Sequence, residues 1–157
     1  MRRKDKEITD RKIIDEIIAG TMVCRIGMSE DNHPYIVPVN FGYENNSIYF
    51  HCAHVGKKID ILKKNNIVCV EFDIMEDYLV PDVPCKGSIK YKSIIANGRA
   101  FFVDDTEEKK HALSLITEHV SGKVFEFTDE MSETVTIIRI DILEISCKVS
   151  DFKGENE

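Results

Sequence analysis

The sequence lacks several things that would settle its class. No apolar run approaches the roughly 20 residues that a membrane-spanning helix needs, and the start, MRRKDKE, has no apolar segment of the secretion-signal kind. A cytoplasmic location is therefore expected. There is no Cys-x-x-Cys pair; the five cysteines (Cys24, Cys52, Cys69, Cys85, Cys147) are odd in number and scattered, mostly in apolar stretches, as expected of reduced, buried thiols. The glycine fingerprint of a tightly held nicotinamide dinucleotide is missing. So are internal repeats and low-complexity segments. Basic residues are outnumbered: 21 Lys and Arg against 28 Asp and Glu leave a net charge of −7, which argues against phosphate backbones and anionic membranes as partners. The basic residues that exist are clustered, as RRKDK, GKK and KGSIKYK, so a local anion site stays open.

What is present fits one domain spanning 1–157, with ends 1–8 and 150–157 expected to fray. Hydrophobic residues make up 43% and charged residues 31%, a soluble globular balance. TDRKIIDEIIAGT has a cap at Thr9 or Asp10, isoleucines on one helical face and Gly20 at its end. MVCRIGMS, PYIVPVNFGY, IYFHCA, IVCVEFDI, IKYKSIIANGRAFFVDD and ETVTIIRIDILEISCKV are expected as six strands. Pro38 cannot donate to a ladder and marks an edge or a bulge, Asn45-Asn46 supplies a hairpin turn, and Gly98 marks a bend or bulge. Helices are expected at 55–65 and from Asp105 or Thr106 through Val120, with residues 75–88 as the long connection. The fold class is mainly β: a six-stranded antiparallel barrel with peripheral helices.

FHCAHVGKKID, residues 50–60, holds the most chemistry. Along a strand His51 points with Ala53, and Cys52 with His54, so neither a metal set nor a Cys-His nucleophile is made locally, and no metal is expected. Lys57 and Lys58 stand at the start of a helix, where the dipole disfavours cations. Either they are simply solvated, or Gly56, the free N–H groups and the two lysines form a phosphate pocket. Val37, Pro38, Val39 and Asn40 would make a wall for a planar ligand or an ordinary edge strand. Tyr91 and Ser93 share the face opposite Lys90 and Lys92.

In the order VPVNFGY, FH, GKK, NGRA, the chain from about Arg3 to Lys148 resembles the pyridoxamine 5′-phosphate oxidase-like split-barrel flavoproteins, in their nitroimidazole-reductase branch. The resemblance implies a six-stranded split barrel and a homodimer with FMN at its interface. Val37, Pro38, Val39 and Asn40 would line the isoalloxazine, while His51, Cys52, Ala53, Gly56, Lys57 and Lys58 would hold the ribityl phosphate. Tyr91 and Ser93 would touch the flavin edge, and His51 would lie at the substrate side as the catalytic candidate. Cys52 stands where a small hydroxyl residue or alanine is usual, and Lys90 and Lys92 where arginine is. The expected activity is reduction of a small electron-poor acceptor with electrons from NADH, NADPH or another donor. The alternatives are a non-catalytic flavin carrier, or a barrel holding haem or a deazaflavin. Tyr49-Phe50, Phe101-Phe102 and the connection from Tyr78 to Pro84 are the expected dimer surface, or else core and plain loop.

Overall fold

The computed structural model of the chain describes residues 2–80, 82–83 and 87–151. Pro81, Pro84, Cys85 and Lys86 of the expected connection lie outside the described residues, as does the end of the expected dimer surface at Pro84. A 3-10 turn, Lys4–Lys6, leads into β1 (Glu7–Ile8) and α1 (Arg11–Ala19), whose cap is Asp10 accepting from the Lys12 N–H. Next come β2 (Cys24–Glu30), β3 (His33–Val39), β4 (Gly42–Glu44), β5 (Ser47–Cys52) and α2 (Lys57–Lys64). The chain continues through β6 (Ile67–Leu79), β7 (Ser88–Val103), α3 (Thr106–Ser121), α4 (Asp129–Ser132) and β8 (Thr136–Ser150). Two turns are built alike: Asp31-Asn32 and Asn45-Asn46 all have positive φ, the geometry that closes two-residue hairpins between β2 and β3 and between β4 and β5.

All pairings are antiparallel, in the order β3-β2-β6-β7-β8-β5-β4, with β1 also on β8. The sheet curls into a split barrel around Ile26, Phe41, Ile48, Phe50, Val70, Phe72, Ile94, Ile138 and Ile140, all sealed from solvent. A second apolar cluster, outside the barrel, joins Tyr49, Val103 and Ile137 to Ala112, Leu113 and Ile116 of α3. The outer face is thus covered by α3 over β4, β5 and the adjoining ends of β7 and β8. Around Arg25 of β2, Glu71 of β6 and Ile95 of β7, which sit in one row, Ile95 and Arg25 remain exposed.

Four expectations change. Among the described residues there are eight strands, not six: Asn40 interrupts VPVNFGY, so β3 ends at Val39 and β4 begins at Gly42, and a short β1 is added. The amino-terminal stretch is pinned rather than frayed, since Glu7 and Ile8 pair with Lys148 and Cys147, and Lys6 Nζ donates to Ser150 Oγ at 2.5 Å. β6 runs five residues into the expected connection, through Leu79. Cys69 is exposed, whereas Cys24, Cys52 and Cys147 are buried free thiols. Pro38 does lie on an edge strand, and the β7–β8 register does shift between Asn97 and Gly98. Tyr49 and Phe50 are core.

Candidate functional site

β5 carries out its alternation as a strand should: Ile48, Phe50 and Cys52 enter the barrel, while Tyr49 and His51 face α3. His51 therefore emerges where the α3 cover ends. There it lines a cleft of about 240 Å³ with Asn40, Ile116, Thr117, Val120, Ser121 and Phe125. Of the residues that the sequence singles out, Asn40 and His51 line this cleft. Sequence reasoning missed the α3 residues and Phe125, because nothing in a helical stripe says which strand end it will overhang.

His54, by contrast, is structural. Its Nε2 lies 3.1 Å from the Glu133 carbonyl, which can only accept, so Nε2 carries the proton; Nδ1 lies 2.9 Å from the Thr136 hydroxyl. Both nitrogens are committed to holding the segment between α4 and β8. Among the described residues no hydrogen bond ties down the His51 ring.

α2 follows β5 after residues 53–56. Gly56 precedes it with φ 137° and ψ 167°, a conformation that L-residues avoid, and a side chain there would meet nothing within 4 Å. No side chain caps the helix. Its first helical bond is from the Asp60 N–H to the Gly56 carbonyl at 3.1 Å, so the N–H groups of Lys57, Lys58 and Ile59 lack helical partners. The two lysines diverge. Lys57 Nζ sits 4.6 Å from the ring centre of Tyr35 on β3, and Lys58 Nζ 5.6 Å from that of Phe50 on β5. The helix start is thereby wedged between β3 and β5.

Lys58 also acts on its neighbours. Packing around the base of the His51 ring, and secondarily the Lys58 charge, push the imidazole's pKa below its ordinary value. Burial pushes the Cys52 thiol up, with Lys58 opposing it. Cys52 is accordingly a neutral core thiol. Proton-coupled NMR of the His51 ring should give a midpoint below that of free histidine, and Lys58→Met should raise it only part of the way, because burial is the larger cause. The unfolded chain takes up this proton first, so His51 costs the folded state stability as pH falls from the ordinary imidazole value toward the lowered one. An unchanged midpoint in Lys58→Met would show that the charge does not reach His51.

Tyr91 and Ser93 are not brought to this cleft. His51 pairs with Ile137, which pairs with Val103 of β7, and Ser93 lies ten residues back along that strand, a contour of about 33 Å. They do share the outer face with Pro38. The row Pro38, Arg25, Glu71, Ile95 crosses β3, β2, β6 and β7, which sets Pro38 about 14 Å from β7 laterally. Val37 and Val39 pack on the core, Pro38 and Asn40 are exposed, and Asn40 Nδ2 donates to the Met22 carbonyl at 3.1 Å. Ala53 is exposed beside His51. Lys90 and Lys92 both reach Glu76, and Lys148 stacks 5.2 Å from the Tyr91 ring.

An antiparallel split barrel with an open helix start between two strand ends defines a class, and the sequence comparison agrees with it. The profile of the pyridoxamine 5′-phosphate oxidase family matches residues 10–149. The chain belongs to that family. It is similar to a candidate 5-nitroimidazole antibiotic resistance protein of Bacteroides thetaiotaomicron, at 33% identity and a TM-score of 0.82 over 91% of this chain and 86% of that one. The FAD and haem binding protein of Mycobacterium smegmatis shares the fold, with a TM-score of 0.84 at 16% identity over 97% of this chain and 77% of that one. An uncharacterised protein of Rhizobium meliloti, RA0666, is 25% identical over 114 residues, 69% of this chain and 68% of its own. Among the described residues no helix is long and apolar enough to cross a membrane.

Proposed function

We propose that the protein binds FMN and serves as an oxidoreductase for a small, planar, electron-poor acceptor, with NADH, NADPH or another donor supplying the electrons. The observation that carries this reading is the uncapped start of α2 behind Gly56: three free N–H groups, Lys58 alongside and open space above the glycine suit one phosphate. A single phosphate site favours FMN over a pyrophosphate-linked dinucleotide. β3, adjoining through the Tyr35–Lys57 stack, is an edge strand whose outward backbone groups from Val37 to Asn40 suit the rim of a flat ring. When bound, the flavin supplies the redox chemistry. The chain's part is to hold the phosphate, to place an uncharged imidazole at His51 beside the acceptor, and to keep water from the cleft under α3.

In this reading the site needs a second copy. Tyr91 and Ser93 lie on the outer face, too far along β7 to meet their own chain's His51 cleft. That face carries exposed Ile36, Met75 and Ile95, and two copies packed across it would offer one chain's Tyr91 and Ser93 to the other's β3 edge.

Purified protein should be yellow, release FMN rather than FAD on denaturation, and have the mass of two chains in solution. Lys58→Ala should weaken FMN binding by about 1.5 kcal/mol, roughly tenfold in Kd. Its apo stability should hold, because the change removes a cation from a helix start. Colourless protein that also takes up no added FMN would overturn the reading. Oxidation of NADH or NADPH in the presence of an acceptor separates an oxidoreductase from a flavin carrier, and a visible spectrum separates flavin from haem or a deazaflavin.

A further inference from the structure

Apart from His51, each polar side chain lining the His51 cleft donates to a backbone carbonyl. Asn40 Nδ2 donates to Met22, Thr117 Oγ1 to Leu113 and Ser114 at 2.8 and 3.0 Å, and Ser121 Oγ to Thr117 at 2.6 Å. The lining is mostly apolar, from Ile116, Val120 and Phe125, and includes no Lys, Arg, Asp or Glu among the described residues. Among the described residues the His51 ring nitrogens and the Asn40 side-chain oxygen have no hydrogen-bond partner. Phe125, in neither helix nor strand, remains 48% exposed at the rim. An apolar wall of this kind, with an exposed aromatic at its edge and one free imidazole, is not needed to hold a phosphate or the edge of a flavin.

We propose that this cleft is the acceptor's own subsite, that it selects uncharged planar rings, and that Phe125 determines this specificity by lying against the face of the ring. The proposal rests on the flavin reading for its placement of the reaction at His51. At about 240 Å³ the cleft is smaller than drug-sized sites and suits one ring with its substituents. A charged ligand would shed its hydration there without gaining an ionic partner from the walls. A neutral ring loses little on entry and gains the aromatic contact. His51, kept uncharged by its surroundings, can donate to or accept from a nitro or amide group at the mouth.

The test uses two rings of the same shape, 4-nitrobenzamide and 4-nitrobenzoate, titrated calorimetrically into the FMN-loaded protein without an electron donor. The amide should bind at least about tenfold more tightly than the carboxylate, and Phe125→Ala should weaken the amide about tenfold while leaving the FMN Kd unchanged. Phe125→Leu should fall between. Because the chain has no tryptophan, Phe125→Trp gives a second readout: its fluorescence should be quenched by the amide. Equal affinity for the two rings, or an unchanged amide Kd in Phe125→Ala, overturns the proposal. Failure of the protein to take up FMN is scored before any ring is added and counts against the flavin reading alone; the same titrations on the apoprotein then still decide the cleft.

Discussion

Gly98→Ala should destabilise the protein by about 3 kcal/mol, lowering Tm by roughly 6–12 °C. A Cβ at this position would lie 2.5 Å from the Asp141 carbonyl oxygen and 3.0 Å from Ile140 Cγ2. The first of these is backbone in the neighbouring strand and cannot rotate away. Gly98 also sits where β7 and β8 change register, so the added methyl must either reopen the ladder or push β8 outward. Both strands are lined with core residues, Ile94 and Ala96 on one and Ile138 and Ile140 on the other, and the disturbance is felt throughout the barrel. Calorimetric melting of the variant beside the parent is the measurement. A Tm within about 2 °C of the parent would mean that the strands are not so closely opposed.

Gly42→Ala should cost about 2–3 kcal/mol, through a different contact. Here the methyl would meet α3 itself, at 2.7 Å from Leu115 Cβ and 2.9 Å from the Ile116 backbone nitrogen. The helix rests directly on the strand because that strand has no side chain at this point. Relief comes by lifting α3 off β4 and β5, which loosens the cluster of Tyr49, Leu113 and Ile116 and displaces the wall that Ile116, Thr117 and Val120 give to the His51 cleft. Urea unfolding should therefore show the loss of stability together with an altered affinity of the cleft for 4-nitrobenzamide. A variant as stable as the parent would show that α3 stands farther from β4.

The elements that could be read in advance were those whose signal is local. Asn45-Asn46 tolerates positive φ and so announces its hairpin; Pro38 has no N–H and so announces an edge; Asp105 precedes Glu107 and Glu108 and so announces α3. The break at Asn40 was not legible. Valine, asparagine and phenylalanine continue a strand pattern, and the interruption comes from where the chain must turn beneath α3 to let Phe41 enter the core against Phe72 and His119. The pairing of Glu7 and Ile8 was hidden for a similar reason: two residues carry no period, and their partner lies about 140 positions away. At the site, the alternation of His51 and Cys52 followed from strand geometry alone. That Lys57 would turn to Tyr35 and Lys58 to Phe50 did not, because the direction of a long side chain is set by the rings that happen to flank it. Phe125 sits in a stretch without periodicity, and only the end of α3 brings it to His51.

The place of β8 in the sheet bears on how the barrel is assembled. The strand made last pairs with the first, β1, and with both β7 and β5, filling the gap between the two halves of the sheet. Hairpins β2–β3 and β4–β5 can close within a few residues of being synthesised, but no barrel exists until Thr136–Ser150 has left the ribosome. Until then Phe50, Ile94 and Ala96 lack their cover from Ile138, Ile140 and Cys147. Closure is a contact between distant parts of the chain, so folding waits on a slow loop-closing step, and the half-made sheet presents two unpaired edges to any other strand nearby.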